Sequence, residues 1–227
     1  MTVLVEAAVE SQDAAIAAVA GGAHRIELCT DLAHGGTTPT VQLIRECHCQ
    51  VLIPIFVLVR PRAGDFVYTE AEHQSMLEQI HRAKDAGAHG IVTGTLTAAH
   101  EIAEDRTAEL VDAALPWTVT FHRAFDVCAD LAVALERLIH LRVDRVLTSG
   151  GGPTAPEGAA QIRRLVVQAN GRIEILPGGG INAANVARLV HDTGVREVHF
   201  SVKDAEKVRA VQIRLCQSTS ASDSPEP

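Results

Sequence analysis

The chain has 227 residues, 47% of them hydrophobic, with one Trp and one Tyr, enough apolar material to bury a sizeable core within a single domain. A net charge of -8 leaves no broad basic face for a phosphate backbone, which excludes nucleic acid as a partner, and no apolar run reaches the ~20 residues that span a bilayer. Met1 to Leu4 lead straight into a strand-like run without a charged leader, and five cysteines (29, 47, 49, 128 and 216) make an odd set with no disulfide framework; both features point to reduced thiols in the cytoplasm, away from any membrane.

In chain order, the apolar run VLVEAAV (3–9) predicts the first strand, and GGAHRIEL (21–28) reads as a helix end running into the second. VLIPIFVLV (51–59) predicts the third. The helical period of QSMLEQIHRAKDAG (74–87) leads into AGAHGIVT (86–93), the fourth, and WTVTF (117–121) is the fifth. LAVALERLIHL (131–141) then feeds LRVDRVLT (141–148), GAAQIRRLVVQAN (158–170) feeds RIEIL (172–176), and NVARLVHDTG (185–194) feeds TGVREVHF (193–200). Gly22, Gly87 and Gly194 suit the left-handed C-cap that ends a helix before a strand. Strand alternating with helix implies parallel strands and right-handed crossovers. Eight such units predict an α/β fold, a closed (β/α)8 TIM-type barrel forming one domain over residues 1–217, with an open doubly wound sheet as the alternative. STSASDSPEP (218–227) is small, acidic and Pro-containing, and predicts a disordered tail.

In such a barrel the functional face lies at the C-terminal ends of the strands. Those ends carry Glu6; Glu27 with Cys29; Arg60 and Arg62; Thr93 and Gly94; His122, Arg123 and Asp126; Thr148 and Ser149; Gly178, Gly179 and Gly180; and His199 with Ser201. Arg60 ends an apolar strand, where it pairs with Glu27 or Glu6 when the site is empty and grips an anion when it is filled. The bland alternative is an Arg–Glu plug in the top of the barrel. The run PGGGINAAN (177–185) frees a backbone whose N–H groups can cradle an anion, although a tight turn alone also accounts for it. The anion-binding candidates are therefore Arg60, Arg62, Ser149, Gly178, Gly179, Gly180 and Lys203, and the catalytic candidates Glu27, His122 and Arg60. His122 could be a general base, a metal ligand or a hydrogen-bond anchor. The three lysines, Lys84, Lys203 and Lys207, lie outside the strands, which disfavours a Schiff-base aldolase. Cys47-His48-Cys49 offers one pair of soft ligands at best, and packed or surface thiols are the default.

RIELCTDLAHGGTTPT (25–40), VRPRAGDFVY (59–68), VTFHRAFD (119–126), RVLTSGG (145–151), PGGGI (177–181) and VHFS (198–201) together resemble the CutC family. The resemblance implies a TIM-type barrel, often a homodimer, in the cytoplasm, with a role in copper homeostasis through Cu(I) handling in which Cys29 is the metal residue. Two departures bear on it. The family's first strand resembles E-V-C-V-D-S, whereas EAAVES (6–11) puts Ala8 at the cysteine position, so the Cu(I) ligand set is incomplete. After the eighth strand, Val202 and Lys203 replace a family Ala-Arg pair, keeping a charge but losing a bidentate fork. The alternative function is an enzyme acting on a small anionic molecule, a carboxylate or phosphate, with Glu27 or His122 moving a proton; an interaction scaffold needs none of these groups.

Overall fold

The computed structural model describes residues 2–221, with side chains through 217. The strands are β1 (Leu4–Val9), β2 (Arg25–Leu28), β3 (Ile55–Leu58), β4 (Gly90–Thr93), β5 (Thr118–Phe121), β6 (Arg145–Thr148), β7 (Glu174–Pro177) and β8 (Glu197–Ser201). They alternate with α1 (Gln12–Ala20), α2 (Val41–Gln50), α3 (Glu70–Asp85), α4 (Glu104–Ala114), α5 (Leu131–His140), α6 (Ala159–Ala169), α7 (Val186–Thr193) and α8 (Ala205–Ala221). Every strand pairs in parallel with its neighbours in the chain, β8 returns to β1, and a parallel bridge between Gly178 and His199 joins β7 to β8. The result is the expected (β/α)8 barrel. No helix among the described residues is long and apolar enough to cross a membrane.

Local chemistry sets the element ends. Thr69 and Glu72 form a reciprocal capping box at the start of α3, while Ser11, Thr40 and Asp130 each accept a backbone N–H at the start of α1, α2 and α5. The third strand is shorter than the apolar run 51–59 because Pro54 has no N–H to pair; its carbonyl instead accepts from Ile26, and the ladder proper begins at Ile55. At the other end of the chain α8 continues to Ala221, so residues 218–221 are helical where the sequence predicts a tail. The rest of that segment, 222–227, lies outside the described residues.

Period-two alternation divides each strand between two environments. One set, including Val5, Ile26, Val57, Ile91 and Val198, is fully or almost fully buried between sheet and helices in the main apolar core. The other set faces the barrel interior and includes the buried charged residues Glu6, Arg25, Arg145 and Glu197. Arg25 donates through Nε to Glu6 and through NH2 to Glu197 at 2.6 Å. Arg145 donates to the same Glu197 carboxylate at 2.7 and 3.3 Å, and to Thr120 Oγ1 at 3.2 Å. The Phe56 ring lies beneath both guanidiniums, with centroid distances of 4.9 Å to Arg25 and 5.4 Å to Arg145. A buried ion costs several kcal/mol unless it is paired and hydrogen-bonded, and here two cations meet two carboxylates.

Phe56 fits only because β4 begins with glycine: a Cβ at Gly90 would sit 2.8 Å from the Phe56 ring. The ring already lies against two arginines. Gly90→Ala is expected to overpack the interior and cost about 1–3 kcal/mol, read in a thermal melt as a Tm drop of about 2–10 °C. An unchanged Tm would mean that the interior is looser than this packing requires.

Candidate functional site

Above the charged layer a cavity of about 480 Å³ opens at the C-terminal ends of the strands. Glu27 and His199 form its floor, Arg60, Phe66 and His122 one wall, and Arg123, Gly179, Gly180 and Lys207 the opposite rim.

The floor follows from strand register. Glu6 of β1 pairs with Arg25 on one side and His199 on the other, which brings three ionisable groups to one level. His199 Nδ1 lies 2.8 Å from Glu6 Oε1, while the second oxygen of Glu6 is held by Arg25. Burial opposes the charge on Glu6, but Arg25 and then His199 outweigh it and hold its pKa down to about 2. Glu27, one alternation above Arg25 on β2, is only 5% exposed and makes no hydrogen bond or ion pair among the described residues. Burial pushes its pKa up to about 7, against the pull of His199 and with the push of Glu6. Burial also opposes a charge on His199, yet Glu27 and Glu6 raise its pKa. With Glu6 and Glu197 matched to Arg25 and Arg145, Glu27 has only His199 left to balance it.

The predicted arginines separate. Arg60 lines the cavity and is 5% exposed, but it pairs with neither Glu27 nor Glu6. Its guanidinium donates to the carbonyls of His34 (3.2 Å), Gly36 (2.8 Å) and Gly64 (2.8 Å) and stacks on Phe66, centroid 5.0 Å away. The expected carboxylate pair is therefore corrected to a clamp on two loops, because Arg60 stands four residues above Phe56, the register partner of Glu27, and reaches the rim instead. Arg62 leaves the site altogether: it binds Glu72 and Asp65 and stacks on Tyr68. β3 ends at Leu58, so strand alternation no longer governs a residue within the bend that follows.

On the far rim, Gly179 and Gly180 line the cavity with φ of 97° and 75°, conformations that favour glycine. Gly178 sits below them in the bridge to His199, donating its N–H to Thr148. Ser149 is buried, with its hydroxyl engaged by Asp126, Gly152 and Arg123, so it supports Arg123 instead of facing the cavity. Lys203 points to solvent and is not part of the cavity wall; the lysine there is Lys207, whose Nζ also donates to Ser201. Cys29 packs inside the barrel with Phe56, Leu58 and Val92, and its thiol donates to the Val9 carbonyl at 3.6 Å. Burial, followed by the charge of Glu27, pushes that thiol far above the ordinary range. Cys47 is buried in α2 and Cys49 exposed, so the two do not form a clip.

His122 is buried in the cavity wall. Its Nδ1 accepts the Ala124 N–H at 3.2 Å, which puts the ring proton on Nε2, a buried atom without a partner among the described residues. Gly94 makes room for this ring, since a Cβ there would come within 2.6 Å of it. Sequence reasoning placed Arg123, Glu6 and His199 at strand ends without assigning them to the site, and passed over Lys207 and the Arg25, Arg145 and Glu197 set. The available signal was charge recurring every second residue within strands, as in Arg25-Glu27 and Glu197-His199.

The CutC family model matches residues 3–204. A CutC family protein of Mesorhizobium japonicum is 47% identical over 198 residues, covering 87% of this chain and 77% of the relative. The human copper homeostasis protein cutC homolog is 42% identical over 224 residues, covering 97% and 82%. The crystal structure of CutC from Streptococcus agalactiae superposes with a TM-score of 0.81 at 33% identity, covering 88% of this chain and 98% of that one.

Burial, and secondarily the Arg60 charge, lowers the His122 pKa to about 3. The unfolded chain protonates the same imidazole near pH 6.5, so between about 6.5 and 3 the unfolded state binds more protons and stability falls as pH drops. Denaturant titrations across that window are expected to show His122→Gln with a shallower loss than the parent protein. Equal slopes would place the acid sensitivity elsewhere.

Proposed function

The chain belongs to the CutC family, and on that premise we propose that it serves copper homeostasis in the cytoplasm, with the cavity at the barrel mouth as its working site. The observation that carries the reading is the cavity's composition: a buried, unpartnered Glu27 beneath a rim of Arg60, Arg123 and Lys207. This arrangement suits a small carboxylate- or phosphate-bearing molecule. Arg123 is held at the rim by Asp126 (2.8 Å) and Ser149 (2.9 Å), which leaves NH1 to face an incoming oxygen beside Gly179. Glu27, with a pKa of about 7, can hold or release a proton on such a molecule near neutral pH.

Direct capture of Cu(I) by thiolates finds less support. Cu(I) favours soft donors, and Cys29 supplies one thiol, protonated and already donating to Val9, while the neighbouring strand offers Ala8, opposite Glu27, in place of a second thiol.

Two measurements test this reading. Phosphate or small dicarboxylates are expected to raise the Tm, since a ligand at 100 times its Kd stabilises by about 2.7 kcal/mol, and Arg123→Met is expected to abolish the rise. No shift with any anion would remove the mouth as a small-molecule site. In competition with a high-affinity Cu(I) chelator under reducing conditions, the protein is expected to retain less than one equivalent. Tight one-to-one binding lost in Cys29→Ser would restore the thiolate route.

A further inference from the structure

We propose that Glu6, Glu27 and His199 form a binding site for one first-row divalent cation, of the Mn²⁺ or Zn²⁺ class, at the floor of the mouth cavity. One donor atom from each residue lies within 4.8 Å of the others. A cation held at about 2.0–2.2 Å from each ligand needs donors roughly 3–4 Å apart. Rotation of Glu27, whose carboxylate makes no hydrogen bond among the described residues and whose Oε2 is buried, can supply that closure, and a cation bound by Glu6 Oε1 and His199 Nδ1 displaces the proton those two atoms share at 2.8 Å.

Glu6 is already held in an orientation that a metal site can use. Arg25 holds Glu6 Oε2 and leaves Oε1 toward His199; Arg25 is in turn fixed by Glu197, and Glu197 by Arg145. Such outer partners set ligand orientation in metal sites. The donor set, two carboxylates and an imidazole, matches borderline and hard divalent ions and is wrong for Cu(I). Charge agrees as well: Glu27 has no cation of its own beyond the imidazole, and a divalent ion supplies one. The cavity above leaves coordination positions open to water or to an oxygen of a bound anion. The site does not depend on the anion reading, since the metal alone is the probe.

The test is equilibrium dialysis of the EDTA-treated, intact chain against Zn²⁺ and Mn²⁺ with metal analysis, alongside Mn²⁺ paramagnetic resonance. One equivalent per chain is expected. Glu27→Gln is expected to weaken it about tenfold or more with the Tm of the metal-free protein not lowered, because no hydrogen bond is lost, and Cys29→Ser is expected to bind as the parent does. Failure of both ions to bind at one equivalent overturns the proposal. So does binding that Glu27→Gln leaves unchanged, which assigns the ion to surface groups, or binding that Cys29→Ser abolishes.

Discussion

Inside the barrel, Arg25 and Arg145 share the carboxylate of Glu197, and Arg25 also holds Glu6. The rest of the interior is arranged around this set. Two guanidiniums need carboxylates within hydrogen-bond reach to be buried at all, and the strand register delivers them: Glu6 stands beside Arg25, and Glu197 reaches both cations. Phe56 occupies the space beneath the two arginines, and Gly90 is glycine because Phe56 is there. Replacing this network with packed hydrophobic residues need not cost stability, so its presence bears on what lies above it.

What lies above is a carboxyl with nothing to hold. By consuming one oxygen of Glu6, Arg25 turns the other toward His199, and with both arginines matched, Glu27 is buried without a partner. Its raised pKa comes from burial, against the pull of His199, whereas the pKa of His199 is raised by Glu27 and Glu6 against its own burial. The mouth is therefore electrostatically unfinished at its floor and cationic at its rim. The rim is mostly rigid: Arg60 is tied to three carbonyls, and Arg123 to Asp126 and Ser149. Asp126 organises this side further by accepting the Ser149 and Gly151 N–H groups.

The departures from sequence reasoning share one physical source. Alternation says correctly that Glu27, Cys29 and Arg60 face inward, but not how far each side chain travels or which neighbour it meets. Arg60 is long enough to bypass the interior and bind loop carbonyls, so a carboxylate partner expected from charge alone was not the one chosen. Arg62, Ser149 and Lys203 lie beyond the strands or are claimed by neighbours, where periodicity carries no information. Cys29 looked like a ligand because of its type; its packing against Leu58 and Val92 and its bond to Val9 make it an interior residue.

The sequence by itself determined the barrel, the strand order and the face on which the strand-end residues gather, because these depend on local signals: apolar runs, helical period, caps and glycine at helix ends, repeated in strict alternation. It also carried the charged residues that fill the interior, visible as Arg25-Glu27 and Glu197-His199 at a spacing of two. Only the tertiary structure decided which charges meet. Pairing across the barrel joins residues as distant in sequence as Arg25 and Glu197, 172 positions apart, and depends on register and side-chain reach. That geometry leaves Glu27 unpaired, and no pattern within one strand encodes it.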